Sequence, residues 1–214
     1  MKNILVWILF AIPFISNAKF YQGQMTMKDS SVKTGFIEVP DDSTNKKVKF
    51  RLTEKGDTEK IELENIVSFI ITNDKKEIVK YVITYLAEFK TFSKTNEFKI
   101  DSKLSCVKVI REGKINLYSA WFVSAGYGAL GTPISSTSGA IYLNKTGNNY
   151  ALNFWQGPTG GFVAKIGEFN YIKSMVKKHF EKDCPKLIEM VTKELIKEKG
   201  VIYRIDLYEQ NCGN

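Results

Sequence analysis

The sequence predicts an α+β protein: a mostly antiparallel β body that opens as an SH3-like small barrel or sandwich, followed by a C-terminal helical segment. Three observations carry the prediction. β-patterned runs recur about every ten residues between Phe20 and Thr72, with turn residues between them. Residues 115–164 hold one charged residue, Lys145, and interleave aromatics with glycine and small polar residues. From Phe169 onward the apolar residues recur at helical spacing, the pattern of a helix with one buried face.

Residues 1–18 read as a cleavable export signal. Lys2 gives a positive start, Ile4 to Ile15 is almost unbroken apolar sequence, and Ser16-Asn17-Ala18 supplies small or polar residues for a cut after Ala18. A retained membrane helix needs about 20 apolar residues, and this run is shorter and contains Pro13. No cysteine near the cut could take a lipid, and no later stretch is apolar enough for a transmembrane segment in the mature chain. The expected location is therefore exported, either periplasmic or secreted.

The first β unit spans 19–73. Phe20 to Met27 alternates weakly, Asp29-Ser30-Ser31 turns, and Val32 to Val39 resumes. Val48, Phe50 and Leu52 place one apolar face on the next strand, Lys55-Gly56-Asp57 turns, and Lys60 to Leu63 returns. Ile66 to Thr72 is a β-branched run. The order of strands and turns, with Glu64-Asn65-Ile66 before the last strand, resembles an SH3-type barrel, which specifies no function.

A β-rich central region follows at 74–165. Ile78 to Tyr85 reads as a strand, and CVKVI-REGK-INLY as a hairpin turning tightly at Glu112-Gly113. Further strands are expected at Leu117 to Ser124, Ala140 to Asn144 and Tyr150 to Trp155, with loops at 126–131 and 157–161. The last segment, 166–214, is helical. Phe169, Ile172, Val176 and Phe180 mark one helix; Asp183 and Pro185 open a second, which Gly200 ends. Val201 to Cys212 fits either helix or strand.

Of 214 residues, 31 are Lys or Arg and 23 are Asp or Glu, a net charge of +8 that falls to about +7 once the signal is removed. The lysines are spread and mixed with acids, as on a solvated surface, so no nucleic acid is expected as partner. Cys184 and Cys212 bracket the C-terminal segment, and export permits a disulfide between them; Cys106 lies in a β-like run and reads as a buried apolar residue.

Catalytic constellations are hard to assemble. The string Gly126-x-Gly128-x-x-Gly131 lacks the following helix and acidic residue that a dinucleotide site requires. His179, the only histidine, sits on a lysine-rich amphipathic helix without a visible third group to orient it. One histidine and three cysteines give no metal spacing. No catalytic, cofactor or metal residue is assigned, and the reading leans against an enzyme. The uncharged aromatic segment carries the functional promise: either its aromatics alternate into a core, or they form a surface for a partner. Trp121, Tyr127 and Trp155 are the candidates for that surface.

The opening YQGQMTMKDSSVKTGFIEV, the hairpin VKVIREGKINLY, the run HFEKDCPKLIEMV and the closing Tyr208-x-x-x-Cys212 together resemble uncharacterised exported proteins of Bacteroidota. Those chains open with a repeated G-x-I β unit, carry an EGK-x-x-LY hairpin and often end in F-x-DCP-x-L. Ser30-Ser31 departs from the pattern, standing where a glycine is usual, as does Tyr208-Glu209, where Tyr-Asn is usual. The resemblance implies no activity. The expectation is an exported envelope protein acting as a non-enzymatic binding or structural module, with an envelope protein or a glycan as partner. A glycan-binding module built on the aromatic platforms is the alternative, and an unrecognised hydrolase a second one. The oligomeric state is open.

Overall fold

The structure is a computed structural model, and it describes residues 19–90, 96–127, 132–158, 168–200 and 202–212. The expected export signal and cut after Ala18 lie outside these residues, as do Gly128 and Gly131 of the glycine string and most of the expected loop at 157–161. The chain is β-rich, mostly antiparallel, and ends in four short helices.

Five strands form the opening unit: β1 (Phe20–Met27), β2 (Val32–Glu38), β3 (Lys47–Arg51), β4 (Glu59–Glu62) and β5 (Ile66–Thr72), with a 3-10 turn at Leu63–Asn65. They lie in the order β5-β1-β2-β3-β4, each neighbouring pair antiparallel. Alternation explains which residues go inside: Val48 and Phe50 of β3 and Phe69 and Ile71 of β5 are buried, while Ile70 and Thr72 face out. Leu52 departs from the expected face. It falls one residue beyond the end of β3 and is 75% exposed.

Gly23 and Gly35 face each other across β1 and β2. A Cβ on Gly23 would stand 2.1 Å from the Ile70 carbonyl oxygen, and one on Gly35 2.3 Å from that of Arg51. Only glycine permits that backbone approach. At the β1–β2 turn Ser30 adopts φ 68°, the left-handed conformation that glycine takes without penalty, and Asp29 Oδ1 accepts hydrogen bonds from the Ser31 backbone and hydroxyl.

Strand β6 (Ile78–Phe89) belongs to two structures. Its first half pairs with β5. Past that point the same edge is taken by β10 (Tyr150–Pro158), in parallel, with Tyr150, Ala151 and Leu152 opposite Tyr85, Leu86 and Ala87. Its other edge pairs with β7 (Phe98–Arg111), which leads to β8 (Ile115–Tyr127), β9 (Pro133–Lys145) and back to β10. Strands β6 to β10 therefore close into a five-stranded ring. Leu86, Val107, Tyr118, Ala120, Ala140, Tyr142 and Ala151 form its core. The alternate residues Ile115, Leu117, Ile141 and Leu143 point outward, beneath the helices.

The β7–β8 connection is wider than the two-residue turn expected at Glu112-Gly113. The register shifts between Val109 and Arg111, and the Gly113 N–H donates to Asn116 Oδ1 at 3.1 Å. The strands also run further than their patterns indicated: β8 passes through Gly126, and β10 through Gly157. Cross-strand partners hold those glycines in extended backbone, Gly126 against Ile134 and Gly157 against Gly139.

Helices α1 (Glu168–Phe180), α2 (Lys186–Met190), α3 (Lys193–Lys199) and α4 (Tyr203–Cys212) cover the outer face of β8, β9 and β10. Ile172, Met175, Val176, Phe180 and Leu187 pack there with Phe154 and Trp155. The second helix breaks in two at Val191, because Thr192 starts α3 by accepting the Leu195 N–H at 3.3 Å. Asp183 does not cap α2. It pairs instead with Lys145. Gly200 ends α3 with φ 76°, as expected, and the ambiguous tail is helical. Arg111 ties the ring to α4 through Asp206 and Glu209.

The expected boundary near residue 73 falls inside a continuous sheet, since five residues of β5 pair with β6. Cys106 and Trp121 of the central region also complete the core of the opening unit. Cys184 and Cys212 lie at disulfide distance, with Cα atoms 5.8 Å apart.

Candidate functional site

The uncharged segment divides into an inner and an outer half. In its inner half the aromatics and aliphatics alternate between the ring core and the helix-covered face, so they are scaffold. In its outer half β8 and β9 run on together as an arm. From Val123 to Tyr127 and from Pro133 to Thr137 every residue is exposed. Strand β10 pairs with β9 only as far as Ser138, and β7 pairs with β8 only as far as Ser119. Among the described residues no strand covers the outer edges of the arm beyond those points. Val123 is 44% exposed, Ile134 53% and Tyr127 82%. The Ser124 and Ser136 hydroxyls hydrogen-bond across the arm at 2.7 Å. The segment's single charge, Lys145, lies at the far end of β9, paired with Asp183.

The three candidate aromatics do not share a surface. Tyr127 sits near the arm tip, opposite Pro133. Trp155, expected at a surface, is instead 3% exposed and belongs to the core under the helices. Its bulged position after Asn153 turns the indole to the helix side. Trp121 is half-buried against the core of the opening unit. Its Nε1–H donates to the Pro40 carbonyl at 3.0 Å, and its ring meets Tyr81 edge-on at 6.0 Å.

Trp121 is part of a seam that sequence reasoning missed. Where β8 leaves β7, the β2–β3 loop fills the gap. Ser43, fully buried, donates its N–H to the Trp121 carbonyl and accepts the Cys106 N–H on its own carbonyl, both at 2.8 Å. Its hydroxyl accepts the Trp121 N–H at 2.9 Å. Asp42 Oδ2 accepts the Val123 N–H at 2.7 Å, and Oδ1 accepts from the Thr44 backbone and hydroxyl. Burial pushes the Asp42 carboxyl up, but the hydrogen bonds from Thr44 and Val123 outweigh it and hold the carboxyl below its ordinary value. In sequence, Asp41-Asp42 carries only a turn signal.

The side chains with catalytic potential are engaged elsewhere. His179 is buried, with its ring edge-on to Phe89 and Phe154, and Nε2–H donates to the Asn153 carbonyl at 2.7 Å. Burial lowers its pKa to about 4 against the hydrogen bond, and Lys145 and Lys178 lower it further. The imidazole is therefore neutral near pH 7. Cys106 is fully buried, and burial pushes its thiol far up, the opposite of what a nucleophile needs. Among the described residues no group of three or more His, Cys, Asp or Glu is placed to hold a metal ion, and no helix is long and apolar enough to cross a membrane.

No family model, curated protein or solved structure matches the chain.

Proposed function

We propose that the chain is an exported, non-enzymatic binding module of the cell envelope, and that it engages its partner through the β8–β9 arm. One observation carries the reading. A basic chain with lysines and acids spread over its surface extends a two-stranded arm whose outer half carries no charged residue of its own, has no strand on its outer edges among the described residues, and places Tyr127 near its tip. Isolated hairpins are marginal in water, and open strand edges are normally guarded by charge. Beyond Val123, whose N–H is taken by Asp42, an edge with Tyr127 and Ile134 exposed is suited to taking up a partner strand or an apolar surface. The engaged states of His179 and Cys106 support the non-enzymatic part.

The test uses a photo-crosslinking residue at position 127, with Lys55 in the opening unit as the control position, in cells of the native host. The expected result is an envelope-fraction adduct from 127 alone, abolished when Val123 and Ile134 are both changed to Ser in a protein whose circular dichroism is unchanged. Equal adducts from both positions, or an adduct indifferent to those changes, would refute the arm as the binding element. Mature protein recovered with an N-terminus at Lys19 would support export. Recovery from the cytoplasm with Met1 intact would refute it.

A further inference from the structure

The five-stranded ring has an open end, and every one of its strands contributes to it. A cavity of about 440 Å³ opens there. It is lined by Leu86 and Glu88 of β6, Tyr142 of β9, Phe122 of β8 and Gln156 of β10, with Lys99 to Ser102 and Ser105 of β7 and Thr44 of the β2–β3 loop completing the wall. The space exists because of the ring's own composition. Three of the side chains filling its core, Ala120, Ala140 and Ala151, are alanine, so the interior is not packed to the rim. Mouths of β-barrels are among the common places for small-molecule sites, and this volume is in the usual range.

The lining is chemically mixed in a way that narrows the ligand. Glu88 and Asp101 accept hydrogen bonds, Lys99 donates them, and Ser105 and Gln156 do both. Two acids against one base do not make a strong site for a cation, and one lysine does not make a phosphate site. Leu86, Ile100 and Phe122 supply apolar wall between the polar groups. At the base, the Tyr142 hydroxyl donates to Glu88 Oε1 at 2.6 Å, which fixes the carboxylate in place. Burial raises the Glu88 carboxyl above its usual range, and the residue is nonetheless exposed at the mouth, within reach of a ligand hydroxyl.

We propose that the mouth of the β6–β10 ring is a binding site for a neutral polyhydroxylated ligand, one or two sugar rings, with Glu88 and Gln156 accepting and donating to its hydroxyls and Phe122 and Ile100 meeting its C–H face. This site is separate from the arm and does not depend on it.

The test is NMR titration of the ¹⁵N-labelled mature protein with D-glucose, D-galactose, D-mannose, N-acetylglucosamine and their β-linked disaccharides. Glucosamine and glucuronate serve as charged comparators. The expected result is saturable shifts with at least one neutral sugar, concentrated at Ser105, Phe122 and Gln156. Losing one hydrogen bond to a charged acceptor weakens binding by about tenfold or more, so Glu88→Gln should raise the Kd by at least that factor. Gln156→Ala, at an exposed position, should also weaken binding, and it carries the test if Glu88→Gln does not fold. No saturable shift with any neutral sugar would overturn the proposal. So would binding confined to glucosamine or glucuronate, or an affinity unchanged in both variants.

Discussion

His179 makes the stability of this protein depend on acid in a calculable way. In the unfolded chain its pKa is the ordinary 6.5; in the folded protein burial lowers it to about 4. Below pH 6.5 the unfolded state takes up a proton that the folded state refuses. The stabilising contribution is therefore present above 6.5 and is lost as pH falls toward 4. With those two values, going from pH 7 to pH 5 costs about 2 kcal/mol from this residue alone. Urea unfolding at both pH values, for the wild type and for His179→Gln, isolates the effect. Glutamine keeps a donor for the Asn153 carbonyl but does not titrate. The variant should be less stable at pH 7 and should lose about 2 kcal/mol less than the wild type on acidification. If both proteins lose the same amount, the histidine is not buried neutral, and the description of the contact between α1 and the ring is wrong.

Three further outcomes are expected. Cys184 and Cys212 are separated by 28 residues, and closing such a loop stabilises by about 3.5 kcal/mol in the chain-entropy model. Cys212→Ala should lower the unfolding free energy by about that much, whereas free thiols at both positions in the unreduced protein would refute the bridge. Ser30→Gly should raise stability by about 0.5 kcal/mol, because it relieves a left-handed φ at a small entropic cost; a lower urea midpoint would count against the turn geometry. Asp42→Asn should cost about 1 kcal/mol at neutral pH and speed hydrogen exchange at the Val123 amide, which would lose its charged acceptor; an unchanged exchange rate would remove Asp42 from the seam.

What the sequence disclosed and what it concealed divide along physical lines. Ile66 to Thr72 and the helix at 168–180 were readable because periodicity is a local signal that burial enforces. The turns at Asp29-Ser30-Ser31 and Lys55-Gly56-Asp57 were readable, but not the return of β5 to pair with β1. The closing of the ring was not readable. Tyr150 pairs with Tyr85 through backbone atoms that carry no residue code, and nothing in YALN announces a parallel neighbour. The split of 115–164 into scaffold and arm was equally hidden, since Trp155 and Tyr127 look alike as exposed or buried aromatics until the bulge after Asn153 and the last β10 pairing at Ser138 are known. Ser43 was invisible for a different reason. A serine in a turn is an ordinary residue, and its backbone rather than its hydroxyl does most of the joining. Glu88 lay within a β-patterned run whose acid gave no sign of meeting Tyr142.

The shared strand β6 also sets an order of events in time. The strands of the opening unit are all present once Thr72 is available, although its core waits for Tyr81, Cys106 and Trp121. The ring cannot close until Tyr150, 65 residues after Tyr85, has arrived to complete the edge of β6. Contacts between such distant residues, and parallel pairing in particular, form slowly. Until then the far half of β6 offers an unpaired edge beside the strands of the opening unit. A chain delivered from its N-terminus would hold that edge open for the whole interval, so refolding should proceed in a fast local phase and a slower closing one. A chaperone that recognises bare strand edges would find its target at residues 85–87.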